Sequence, residues 1–372
     1  MAPRNLIREA LLSPQLLPAQ SASQWDLLIR QARRANLLGR LAHSMADHSL
    51  LDSVPAAPRQ HLLAAMLLAK RQAMAVRWEV ECLMQAFAGT GLPLILLKGA
   101  AYVMAGLPAS IGRVFSDVDL IVPRPLLGNA ESALMQHGWR CADTSAYDQR
   151  YYREWMHEIP PMTHVRRGTT VDLHHSILPE TARVSVKVGA LLDAITPVAG
   201  VPGLHVLQPL DMVLHSASHL FHEGELENGQ RDLFDLDSLL RHFGTEPDFW
   251  HTLAPRAREL GLARPLYHAL RYTTTMLGTP VPREAIEGVL DAEPTALVGR
   301  CMDFCYERAL RPMHASCDDR WTGLARTAVY VRSHWLRMPL PLLVVHLGRK
   351  ALMRNHSPDV GERLAAPADR GA

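Results

Sequence analysis

Three aspartates carry the chemistry most legible in this sequence. Asp117 and Asp119 are separated by one residue in VFSDVDLIVP, and Asp172 follows about fifty residues later in GTTVDLHHSI. Alternate residues of a strand share a face, so Asp117 and Asp119 are expected to point the same way, a few ångströms apart. Two such anions repel, and a divalent cation is their natural partner. Asp172 on a neighbouring strand would complete an oxygen cage and accept the proton of an attacking hydroxyl. Two Mg²⁺ ions held this way, with Mn²⁺ as the alternative, would bridge a triphosphate and stabilise both the attacking and the leaving oxygens. Upstream, Lys98-Gly99 ends the apolar run LILLKG, where a glycine lets phosphates approach and a helix N-terminus favours anions. Lys98 or Arg113 would neutralise phosphate charge.

The elements that must hold these residues are readable in outline. Residues 1–90 read as a helical region: SASQWDLLIRQARRANLLGRLAHSM has apolar residues at three- and four-residue spacing, with Ser21 or Ser23 as N-cap, and a long helix is expected from Arg59 to Ala88. Residues 91–205 change character. Pro93 leads into a short strand, a brief helix AAYVMAG, the Asp117/Asp119 strand, a helix between Leu126 and Gly138, an irregular stretch and the Asp172 strand. Residues 206–354 return to helix, interrupted by Pro255, Pro265, Pro280, Pro282, Pro312 and Pro339, and residues 355–372 read as a mobile tail. The expected class is α+β, a small mixed sheet between N- and C-terminal helical regions.

The composition narrows the partners. A chain of 372 residues exceeds one ordinary core, and 48% hydrophobic with 20% charged residues is globular rather than disordered. With 39 basic and 37 acidic residues the net charge is +2, which argues against an electrostatic nucleic-acid binder overall. Arg308, Arg311, Arg326, Arg332, Arg337, Arg349 and Lys350 leave open a basic C-terminal face with weak affinity for RNA or a membrane surface, as does the apolar-basic segment 338–354. There is no apolar run long enough to span a bilayer and no signal-peptide pattern. Five scattered cysteines read as reduced thiols, which places the protein in the cytoplasm. A zinc site drawn from Cys301, Cys305, His314 and Cys317 lacks knuckle spacing, so buried helix thiols are the simpler reading.

The stretch LPLILLKGAAYVMAGLPASIGRVFSDVDLIVP, with VDLHHSI, PLDMVLHSASHLFHEG and RDLFDLDSLL, resembles a poorly characterised bacterial nucleotidyltransferase family within the polymerase-β-like superfamily. The resemblance covers about residues 60–245 and is similar in layout to toxin-type enzymes of abortive-infection systems. It implies transfer of a nucleoside monophosphate from NTP, ATP included, to a hydroxyl or phosphate of a small molecule, peptide, protein or tRNA. Asp117, Asp119 and Asp172 would ligate metal, and Lys98, Gly99, Arg113 and Ser116 would hold the triphosphate. The superfamily's Gly-Ser usually lies closer to the acidic pair; here Ala100 follows Gly99, and Ser116 is the substitute. The resemblance places the helix of His215 and His219 beside the active site, and His174, His215, His219, Arg231 and Asp232 are candidates for substrate contact. Helical spacing of His215, His219 and His222 equally fits packing or metal, and Arg231-Asp232 equally fits an ordinary acidic helix start. His174 is expected to orient Asp172, with His175 pointing away. The competing class is an inactive nucleotide-binding scaffold or sensor.

Overall fold

The computed structural model describes residues 4–141, 146–222 and 224–339. The 355–372 tail, Arg349, Lys350 and most of the 338–354 segment lie outside them. The N-terminal helices are α1 (Leu6–Leu12), α2 (Ala22–Arg34), α3 (Leu38–Asp47) and α4 (Ala56–Phe87). Ser21, not Ser23, caps α2: its Oγ accepts the Gln24 N–H while the Gln24 side chain accepts the Ser21 N–H, a reciprocal capping box. The long helix α4 starts three residues earlier than expected, because Pro55 stands at its N-cap.

A seven-stranded mixed sheet follows, in the order β3-β4-β5-β2-β1-β7-β6. β1 (Leu94–Leu96) is buried on both faces and leads into α5 (Lys98–Met104); β2 (Asp117–Ile121) and α6 (Leu127–Gln136) come next. The stretch expected to be irregular instead holds β3 (Trp139–Cys141), α7 (Ala146–Trp155) and β4 (Met162–His164) before β5 (Thr170–His174). After β5 come α8 (Val188–Leu192) and the hairpin β6 (Ile195–Pro197) and β7 (Leu204–Leu207), also absent from the sequence reading. These four strands span three or four residues each, too few for alternation to declare itself. They form because the sheet supplies partners: β7 pairs parallel with the central β1, and β3 and β4 extend the edge beyond β5.

The remaining helices are α9 (Pro209–His222), α10 (Gly229–Phe243), α11 (Phe249–Leu260), α12 (Ala263–Leu277), α13 (Arg283–Glu287), α14 (Ala296–Ala309) and α15 (Thr322–Arg337). Two expected breaks do not occur. Pro265 sits in the first turn of α12, where no helical N–H is required. Pro255 lies inside α11, and both it and His251, four residues earlier, are exposed, so solvent satisfies the carbonyl that loses its donor.

One hydrophobic cluster runs from Leu6 to Val329 and joins the helices to the sheet. Two specific contacts tie the N-terminal helices to the functional region. Arg167, in the β4–β5 turn, grips buried Glu79 of α4 through two bonds of 2.8 and 2.9 Å and stacks over Trp139 at 4.8 Å. Gly39 of α3 packs backbone to backbone on Gly112 (φ +68°); a Cβ on Gly39 would meet the Gly112 oxygen at 2.4 Å. That approach sets Arg40 beside the loop carrying Arg113.

Candidate nucleotide and metal site

The strand register creates the acidic face. β2 and β5 run parallel, with Asp117 opposite Thr170, Asp119 opposite Asp172 and Ile121 opposite His174. Period-two alternation therefore puts Asp117, Asp119, Asp172 and His174 on one side of the sheet, while Val118, Leu120, Val171 and Leu173 fill the other. On the neighbouring strand, β1 delivers Lys98 at its end. Lys98 adopts φ +45°, a left-handed conformation uncommon for a side-chain-bearing residue, and this turn starts α5. From there its Nζ donates to Asp119 Oδ1 at 2.7 Å. Gly99 is required by packing as much as by any ligand: a Cβ there would lie 2.7 Å from the Phe115 ring and 3.2 Å from Arg113 Nε.

The carboxylates differ in protonation. Burial alone would raise Asp119, but Lys98 and the hydrogen bond from His174 outweigh it and hold the group well below the usual carboxylate range. Asp117 is raised by burial and by the neighbouring Asp119 charge, with Lys98 and Ser116 opposing. Asp172 is pushed up to about 7 by burial and then by the charges of Asp119, Glu158 and Asp117, and its buried Oδ1 has no hydrogen-bond partner. Lys98 in turn is held above its ordinary value: burial lowers it, but Asp119 more than compensates.

The face opens into a cavity of about 340 Å³, of the size that small-molecule ligands fill. Lys98, Gly99, Arg113, Ser116, Asp117 and Asp119 line its sheet side; His219, Arg231 and Asp232 line the opposite side, from α9 and α10. Asp172 lies beside Asp119 but is not part of the cavity lining. Arg113 lines the cavity and is already paired with an anion. Its guanidinium bonds Asp235 of α10, which also binds Arg40, and it lies 5.7 Å from the Tyr102 ring and 5.6 Å from that of Phe115. Burial, then the nearby Arg231 charge, lowers Arg113 to about 10. Arg231 pairs with Asp232 at 2.7 Å.

The histidines divide. His219 lines the cavity, whereas His215 is buried next to it and is kept neutral by burial, reinforced by Lys98. His222 is buried, with Nδ1 3.1 Å from the Ser218 carbonyl. His174 does not orient Asp172; its Nε2 lies 3.0 Å from Asp119 Oδ1, because Asp119 reaches across the register toward it. His175 does turn elsewhere, its Nδ1 3.9 Å from Glu180. Cys301, Cys305, His314 and Cys317 do not converge as a metal site; the described residues bring together instead His157, Glu158 and His174. Of the C-terminal basic residues, Arg308 and Arg311 bind Asp319, Arg326 binds Asp318, and Arg332 and Arg337 bond the carbonyls of Phe221 and His222. Sequence reasoning missed Tyr102, Glu225 and Asn228 in the cavity wall and the Arg40–Asp235–Arg113 clamp, which joins residues far apart in the chain; only an unusually polar position within the α10 core face hinted at Asp235.

A mixed sheet with flanking helices and an acidic strand pair beside a Lys-Gly turn defines the class: a nucleotidyltransferase core with helical additions. The chain belongs to the uncharacterised nucleotidyltransferase family, whose model matches residues 21–278, more than half of the sequence. The match extends the region of resemblance on both sides, from α2 to the end of α12. No curated protein and no solved structure matches the chain. Among the described residues no helix is long and apolar enough to cross a membrane.

Proposed function

We propose that the protein transfers a nucleoside monophosphate from NTP to a hydroxyl or phosphate acceptor, with release of pyrophosphate, and that Asp117, Asp119 and Asp172 hold the divalent metal for this step. The observation that carries the reading is the register that aligns Asp119 with Asp172 on one face, two residues from Asp117, at a cavity lined by Lys98 and Arg231. The donor set suits Mg²⁺, or Mn²⁺ in its place: carboxylate oxygens only, with an unpartnered buried Oδ1 on Asp172 and two of the three groups raised by burial and then by mutual repulsion. The metal would supply charge neutralisation at the transferring phosphoryl group.

The chain's own residues do the rest. Lys98, at hydrogen-bonding distance from Asp119, is placed to follow phosphate oxygens entering the cavity, and Ser116 and the Gly99 backbone border the same space. Arg113 acts through its clamp: held by Asp235, it stiffens the loop that carries Phe115 and Ser116. Asp172, beside Asp119 on the same face, would accept the proton of an acceptor hydroxyl. His219, Arg231 and Asp232 face the cavity and are the candidates for base or acceptor contacts. Calorimetric titration of each NTP with Mg²⁺ tests this. Metal-dependent binding of one NTP by the wild type, absent in Asp117→Ala/Asp119→Ala, is expected. A folded wild type that binds none of them would overturn the reading and favour the scaffold class.

A further inference from the structure

We infer that His157, Glu158 and His174 form a second metal site, for a transition-metal dication of the Zn²⁺ type, joined to the aspartate cage through Asp119. One ligand atom from each residue lies within 4.8 Å of the other two, and none of the three lines the cavity. The backbone holds them there. Residues 157–159 run antiparallel beside the end of β5: Glu158 bridges His174, the Ile159 N–H donates to Leu173 at 3.1 Å, and the His175 N–H donates to His157 at 2.9 Å. Pro160 and Pro161 separate this short pairing from β4.

Hydrogen-bond bookkeeping at His174 supplies the independent observation. Asp119, already bound to Lys98, can only accept, so His174 Nε2 carries the proton between them. In its neutral form, the one that ligates metal, the ring presents a lone pair at Nδ1, which sits 3.4 Å from Glu158 Oε2 and makes no hydrogen bond, although His174 is 1% exposed. Two acceptors facing each other in a buried place call for a cation between them. His157 contributes a third atom: its Nδ1 is likewise buried without a partner, and its ring centroid lies 5.2 Å from that of His174. A metal-binding imidazole that donates its other N–H to a carboxylate is a recurrent arrangement, and Asp119 fills that outer role. Two imidazoles and one carboxylate are the donor set of three-ligand zinc centres, with a fourth position left for water. Glu158, at 19% side-chain exposure, leaves a route for that water. Imidazole nitrogen favours Zn²⁺ or Co²⁺ over Mg²⁺, whereas the all-oxygen aspartate set does the reverse, so the two sites are chemically separable.

The inference stands independently of nucleotidyl transfer, and its test uses metal alone. The full chain, stripped with chelator, is titrated with Zn²⁺ and Co²⁺ in excess Mg²⁺ against a chromophoric chelator. One equivalent is expected in the wild type and in Asp117→Asn/Asp172→Asn. Affinity should fall on the order of 100-fold or more in Glu158→Gln and in His157→Gln. The wild-type Co²⁺ complex, which needs no variant to fold, should show the intense visible absorption of a nitrogen-ligated ion with low coordination number. Three results would overturn the inference: no stoichiometric uptake; unchanged affinity in folded Glu158→Gln and His157→Gln; or a weak six-coordinate Co²⁺ spectrum.

Discussion

Replacing Asp172 by Asn should stabilise the metal-free protein at alkaline pH while abolishing its response to Mg²⁺. The Asp172 carboxyl titrates near 7 in the fold against an ordinary value of 3.8, because burial and the charges of Asp119, Glu158 and Asp117 oppose its ionisation. The folded state therefore binds more protons than the unfolded chain between those values, and stability falls as pH rises through that window. A difference of about three pH units corresponds to about 4 kcal/mol. Partial exposure and solvent screening reduce this to an expected gain of roughly 2 kcal/mol for Asp172→Asn at pH 8. At pH 3.5, where the folded carboxyl and most of the unfolded one hold the proton, the gain should fall close to zero. Urea denaturation in EDTA at the two pH values reads the difference directly. Adding Mg²⁺ at pH 8 should then stabilise the wild type and leave the variant unchanged, since only the ion-binding fold gains from mass action. A variant whose stability relative to wild type does not change between pH 3.5 and 8 would refute the electrostatic account of the site.

Three further outcomes follow from the same geometry. Asp235→Ala leaves the Arg40 and Arg113 guanidinium groups, 14% and 11% exposed, without their shared anion, and should cost about 3–5 kcal/mol in denaturant unfolding; a loss below about 1 kcal/mol would show that the clamp is dispensable. Gly99→Ala forces the Phe115 ring and Arg113 aside and should cost about 1–3 kcal/mol with weakened nucleotide binding, and retention of both properties in melting and calorimetry would count against tight packing there. Lys98→Met removes the cation bound to Asp119, so calorimetry should show tighter Mg²⁺ binding without nucleotide but weaker Mg–NTP binding; a parallel fall in both would point to lost folding instead.

The acidic face was legible before the fold because alternation in SDVDL and TVDLH is a local property, and the Lys-Gly turn and the longest helices are local as well. What stayed hidden depends on distant partners. The strands Trp139–Cys141, Met162–His164, Ile195–Pro197 and Leu204–Leu207 exist because neighbours pair with them, so three or four residues sufficed without any pattern of their own. Asp235 stands out only as a polar position on an apolar helix face; its two arginines arrive from about 195 and 122 residues away. That the Arg113 charge is already matched by Asp235 could not be seen for the same reason. Glu158 sits in REWMHEIPP, a stretch without periodicity, and became visible only when the chain laid it beside His174.

The distribution of charge around the cavity implies an order of binding. Arg40 and Arg113 share Asp235, Arg231 holds Asp232, and Lys98 holds Asp119, so these four cations each meet an anion before any ligand enters. By contrast, no ion pair within 4.0 Å joins a described cation to Asp117 or Asp172, and both are raised by burial and then by the repulsion they share with Asp119. The uncompensated charge at the site is thus negative. A bare triphosphate would meet carboxylates first and would have to break existing ion pairs to find positive charge, whereas a dication relieves repulsion at once. A metal held by Asp119 would also weaken the hold of that carboxylate on Lys98 and would leave the ammonium available to incoming phosphates. ATP without metal should therefore bind weakly in calorimetry, because the cavity's cations are occupied, and added Mg²⁺ should strengthen it; equal affinity with and without Mg²⁺ would refute this account.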